Sequence, residues 1–152
     1  METKISKDTK LKEVLKLAAP CRCNSCSTGC KYGSGFLIGD DAENISKFLK
    51  VTKKELEGKY LEEAEQFSRK LWRPKLLRKA GKPYGKCIFY DEERGCTIHP
   101  VKPLQCKTSI ACKPYGKELS LWFMHNYIID ENDENSMKEY EIYLKSGGEK
   151  LD

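Results

Sequence analysis

The chain has 152 residues, 34% of them charged and 39% hydrophobic, with a net charge of +5 and a mean hydropathy of −0.67. That length fits one domain, residues 1–152, and the composition leaves few apolar residues for its core. No stretch approaches the roughly 18 uninterrupted apolar residues of a membrane span, and the polar opening Met1–Asp8 leads into no apolar signal segment, so a cytoplasmic, reducing setting without a membrane role is expected.

In chain order, Leu11, Val14, Leu15 and Ala18 recur with helical period and predict a helix from Thr9 to Ala19, ended by Pro20. From Cys21 to Gly39 the residues are small and polar. Gly33-Ser34-Gly35 lets backbone wrap closely around a centre and offer amide N–H groups to sulfur. Asp40 and Asp41 are expected to cap a helix to about Leu49 with Ile45, Phe48 and Leu49 inward. Thr52-x-x-Glu55 reads as a capping box opening a second helix to about Phe67.

Between Phe67 and Tyr90 the charge is one-sided. Arg69, Lys70, Arg73, Lys75, Arg78, Lys79, Lys82 and Lys86 are interleaved with Trp72 and Tyr84, and no acidic residue stands among them. That is the composition of a surface for nucleic acid or another acidic partner, although a solvated connector gives the same pattern. Ile88-Phe89-Tyr90 and Cys96-Thr97-Ile98, around the turn Asp91–Gly95, predict a short hairpin. Leu104–Ala111 has room for a helical turn or two, Lys117–Ile129 reads as a helix, and Ser136-x-x-Glu139 as the start of a last helix ended by Gly147-Gly148. The C-terminal helices thus span about 117–146.

The eight cysteines fall into two runs, Cys21, Cys23, Cys26 and Cys30, then Cys87, Cys96, Cys106 and Cys112, which set the limits of a metal-binding core at about 21–112. Thiolates are soft ligands for zinc and for iron–sulfur clusters. A disulfide framework fits poorly, because cysteines as close as Cys21 and Cys23 bridge only with strain and the expected compartment is reducing. Paired zinc knuckles would show two C-x2-C pairs, whereas only Cys23 and Cys26 make one. The tight Cys23-x2-Cys26-x3-Cys30 run suits an iron–sulfur cluster better, which is therefore favoured over Zn2+ as the cofactor.

The second run carries a resemblance. Cys87-Ile88-Phe89-Tyr90, then Cys96-Thr97-Ile98-His99-Pro100-Val101-Lys102-Pro103-Leu104-Gln105-Cys106, is similar to the C-x8-C and following segment of the YkgJ-type cysteine-cluster family, a zinc- or iron-chelating domain. The likeness extends over about residues 21–112. Lys102-Pro103 and Cys106-Lys107 stand where the family usually has arginine, which keeps the charge without the planar fork. The first run ends in Cys26-x3-Cys30 rather than in adjacent cysteines.

His99 lies near the ligands, with a turn residue before Pro100 as the plainer reading, and His125 reads as a partly buried helix residue. No catalytic triad, carboxylate pair or phosphate loop is present, so no catalysis apart from the metal is expected. The expected fold is a small α-rich, loop-rich, metal-stabilised domain with at most a short β-hairpin. The expected function is an iron–sulfur protein with an electron-transfer or cluster-dependent redox role. A structural zinc domain presenting the basic Arg69–Lys86 stretch to RNA or an acidic partner is the alternative, as is a metal chaperone or sensor.

Overall fold

The computed structural model describes residues 4–18, 21 and 23–151. Seven α-helices, several shorter helical turns and three two-stranded antiparallel sheets make up these residues. The α-rich, loop-rich class holds, and no helix among them is long and apolar enough to cross a membrane.

Helix α1 (Leu11–Leu17) buries Val14 and is followed by buried Ala18, while Leu11 and Leu15 remain exposed. Ala19 and Pro20, expected to close it, lie outside the described residues. Helix α2 (Asn24–Ser27) runs directly into a 3-10 turn, Thr28–Lys31. In α3 (Asp41–Leu49) Ile45 is buried but Phe48 is 44% exposed, against the expected inward face. Asp40 makes no side-chain cap there. The Asp41 carboxylate instead accepts from the Ile38 amide at 3.0 Å and the Leu104 amide at 3.4 Å, tying α3 to the start of α5 (Leu104–Thr108).

Helix α4 (Lys53–Lys59) opens with the capping box as read: the Glu55 amide donates to Thr52 Oγ1 at 3.1 Å and the Thr52 hydroxyl donates to Glu55 Oε1 at 3.2 Å. It stops at Lys59, and the expected continuation to Phe67 is instead a strand, β1 (Leu61–Gln66), paired with β2 (Arg69–Pro74). A two-residue turn joins them, Phe67 at φ 50° and Ser68 at φ 61°, the left-handed pair that matches the twist of a hairpin. Phe67 is held there by edge-on contacts with Tyr140 and Tyr143. Strands β3 (Leu76–Arg78) and β4 (Gly85–Cys87) form the second hairpin, so the stretch read as a connector is largely sheet.

Glu62 on β1 organises both hairpins. Its carboxylate accepts from Arg73 on β2, from Arg78 on β3 at 2.8 Å and from the Leu76 amide at 3.0 Å. The two arginines hold it down to about 2 from 4.5, the Arg78 hydrogen bond foremost. The expected third hairpin is present with shorter strands, β5 (Tyr90–Asp91) and β6 (Gly95–Cys96), where Cys96 pairs with Tyr90. The Asp91 carboxylate accepts from the Glu93 and Arg94 amides in its turn.

Helix α6 (Gly116–Phe123) buries Leu119, Trp122 and Phe123 and continues as a π-helical turn, Met124–Ile128. It clamps the N-terminal segment: Trp122 Nε1 donates to the Thr9 carbonyl at 2.7 Å and the Tyr115 hydroxyl donates to the Leu17 carbonyl at 3.1 Å. In α7 (Glu134–Lys145) the cap is Asp133, which accepts from the Asn135 amide; Ser136 is buried and accepts from the Asp130 amide, so it is not the cap expected.

Two apolar clusters result. One joins Val14, Phe36, Phe67, Trp122 and Phe123; the other joins Leu37, Ile45, Leu56, Leu61, Phe89 and Ile98. Adjacent Phe36 and Leu37 belong to different clusters. Cys26 packs against the first cluster, while Cys87 lies within the second and Cys96 packs against it, so the cysteines occupy the seam.

Candidate metal centre

The structure regroups the cysteines across the two runs. Cys21, Cys23, Cys26 and Cys112 place their ligand atoms within 4.8 Å of one another, the one such group among the described residues. Cys112 Sγ lies 3.5 Å from both Cys21 Sγ and Cys26 Sγ, across sequence separations of 91 and 86 residues. Cys23 caps α2, its sulfur accepting from the Cys26 amide at 3.5 Å. That amide, with hydrogen bonds from Cys21 and Cys26, pulls the Cys23 thiol down to about 7, while sharing its proton with Cys21 and Cys26 pushes Cys112 up to about 12. Cys23 is thus the member of the set whose thiolate is most accessible, and the thiolate is the form that ligates metal.

Four soft donors this close are able to ligate a metal. Tetrahedral thiolate ligation at about 2.3 Å implies sulfur–sulfur separations near 3.8 Å, and the observed 3.5 Å contacts are of that size. In a 4Fe–4S cluster each thiolate sits on a different iron and the sulfurs stand wider apart, whereas a 2Fe–2S cluster sets two thiolates on each iron.

The other four cysteines, Cys30, Cys87, Cys96 and Cys106, line a cavity of about 570 Å3, which Cys21 and Cys26 border as well. Cys30 sits on the 3-10 turn, which packs against β4, Cys87 ends β4, Cys96 ends β6 and Cys106 lies in α5. Burial raises Cys30, and it pushes both Cys87 and Cys106 up to about 12. The amides of Phe89 and Tyr90 hydrogen-bond to the Cys87 sulfur, and the Gly35 amide to that of Cys106. The glycine run thus offers backbone to a sulfur as its composition suggested.

Gly35 admits no side chain. A Cβ there would stand 2.7 Å from Cys106 Sγ. The segment is held in place by the Phe36 amide donating to Gln105 Oε1 at 2.6 Å, the Ser34 hydroxyl to the Pro74 carbonyl at 2.7 Å, and the Leu37 amide to the Trp72 carbonyl at 2.8 Å. Gln105 and Asp41 carry no signal in the sequence that marks them as supports of the site.

His99 lines the same cavity from a 3-10 turn, His99–Val101. His125 is half-buried in the π-helical turn, where its Nε2 accepts from the Leu151 amide at 3.4 Å. Lys102 stands where its charge reaches Cys30, and Lys107 where its charge reaches Asp41. Four charges of the basic stretch are engaged by the fold: Arg73 and Arg78 by Glu62, Arg69 by the Tyr127 carbonyl and Lys75 by the Gly58 carbonyl. Lys70, Lys79, Lys82 and Tyr84 are exposed.

A family model described as "Putative zinc- or iron-chelating domain" matches residues 22–140, a span that contains seven of the eight cysteines. No curated protein and no solved structure matches the chain.

Proposed function

Because the chain belongs to the CxxCxxCC family, whose model covers most of its length, we propose that it is a thiolate metal-binding protein in which Cys21, Cys23, Cys26 and Cys112 hold one tetrahedrally ligated ion. The observation that carries this reading is the mutual approach of those four sulfurs. A closed four-thiolate cage leaves no open position for a substrate, the form that structural zinc sites take, and a single iron is accommodated by the same donors. Zinc is the ion we assign. Once bound it supplies cross-linking rather than reaction chemistry, fastening the N-terminal cysteine loop to residue 112.

An electron-transfer role requires a redox-active cluster, and its support lies with the wider cysteine set rather than with this one.

Metal analysis of the intact chain, purified anaerobically, tests the assignment. Cys23→Ser and Cys112→Ser each remove one equivalent of zinc and lower the melting temperature. Zinc content unchanged by either substitution overturns it.

A further inference from the structure

The loop between β3 and β4 takes no part in the metal centre. Residues 79–84 are exposed throughout, beyond the closing pair of Arg78 and Gly85. The loop has a fixed shape. The Lys82 amide donates to the Lys79 carbonyl at 3.1 Å, and Arg78 Nε donates to the Pro83 carbonyl at 3.2 Å while Glu62 grips the same guanidinium. The loop ends in Tyr84, whose ring meets that of Tyr32 edge-on, with centroids 5.9 Å apart and planes at 64°. Tyr32 follows Lys31 at the end of the 3-10 turn, and that turn packs against β4.

The two rings pack on each other without being covered: Tyr32 is 58% exposed and Tyr84 47%. The charge beside them is one-sided. Lys31, Lys79 and Lys82 are exposed, and none of them makes an ion pair among the described residues. The one carboxylate bonded to this hairpin, Glu62, is already shared by Arg73 and Arg78.

We propose that this surface binds single-stranded nucleic acid, with bases stacking on Tyr32 and Tyr84 and phosphates meeting Lys31, Lys79 and Lys82. Open aromatic rings beside unpaired cations hold a strand without reading its sequence, because every base has a face and every nucleotide a charge. An acidic protein segment matches the lysines but has no use for the rings. A duplex keeps its bases stacked on one another and offers the rings no faces. The proposal rests on the fold and not on which ion the compact cysteine set holds.

Fluorescence anisotropy with the intact, metal-loaded chain tests it, using labelled oligouridylate and oligothymidylate of about 12 nucleotides. Both strands are expected to bind at about 50 mM salt, and the logarithm of affinity to fall against that of salt with a slope near −2, at about 0.7 for each of the lysines. Tyr32→Ala and Tyr84→Ala should each weaken binding about tenfold, with Tyr84→Phe unchanged because it keeps the stacking face. Lys79→Gln combined with Lys82→Gln should bring the slope to about −0.7. All these side chains are exposed, and an unchanged melting temperature verifies that each variant folds. No binding at low salt overturns the proposal, as does a duplex bound as tightly as the single strand. Alanine variants that bind like wild type, or polyglutamate that displaces the strand at equal charge, would assign the surface to an acidic partner instead.

Discussion

Replacing Glu62 by Gln removes one negative charge from between two arginines and leaves the volume nearly unchanged. The carboxylate is held at about 2 against an ordinary 4.5, and at about 1.4 kcal/mol per pH unit this corresponds to a ceiling of roughly 3 kcal/mol. Solvent reaches the group: the side chains of Glu62, Arg73 and Arg78 are 20%, 21% and 35% exposed, so screening brings the expected cost to about 1.5 kcal/mol. A depressed carboxylate contributes stability that is complete above its unfolded value and is lost as pH falls through its folded one. The difference between wild type and Glu62→Gln should therefore be constant from pH 7 to about 5, shrink between 4.5 and 2, and vanish below. Urea unfolding of both proteins across that range measures it. Acid also strips thiolate-bound metal, so metal content is measured at each pH and the two chains are compared over the range in which both keep it. A cost below about 0.5 kcal/mol at pH 7, or one that does not change between pH 5 and 3, refutes the account of Glu62 as the knot between the hairpins.

Complete removal of metal with a chelator should abolish the cooperative melting transition, since a structural metal contributes on the order of 10 kcal/mol of folding free energy and this core is thin. An unchanged melting temperature after verified metal removal counts against any structural role. Gly116→Ala should destabilise by about 1–3 kcal/mol in chemical unfolding, because a Cβ there runs into the Ile110 carbonyl, and a neutral outcome means that the α5–α6 connection carrying Cys112 yields easily.

Local chemistry was legible wherever one residue type dominates the choice. The Thr52–Glu55 box was readable because a hydroxyl and a carboxylate three apart satisfy the first amides of a helix wherever it lies. Strand β1 was not readable. Leu-Glu-Glu-Ala-Glu-Gln is made of good helix formers, and the turn that converts it to a hairpin uses Phe67 and Ser68 in place of the Asn-Gly that announces such turns. Distant aromatics, Tyr140 and Tyr143, hold that turn, so no local window contains the reason. The basic stretch shows a related cause: Arg73 and Arg78 face a partner, Glu62, that the linear sequence places in the preceding segment.

The eight cysteines were visible from composition, but their grouping was not. On a continuous α-helix Cys26 and Cys30 would lie about 40° apart on one face. The switch to a 3-10 turn at Thr28 adds rotation at each step and carries Cys30 to roughly 100° from Cys26. The tightening of that single turn directs one run of cysteines toward two places.

That joint also governs how the molecule is filled. Only Ser27, Thr28 and Gly29 separate Cys26 from Cys30, so a metal that fixes Cys26 fixes the hinge from which Cys30 is presented, and the reverse holds equally. Such reciprocity is a coupling free energy between the compact thiol set and the cavity wall that Cys30 lines, and whatever holds one biases the other by the same factor. Removing metal from the compact set would accordingly loosen the cavity wall at Cys30 as well.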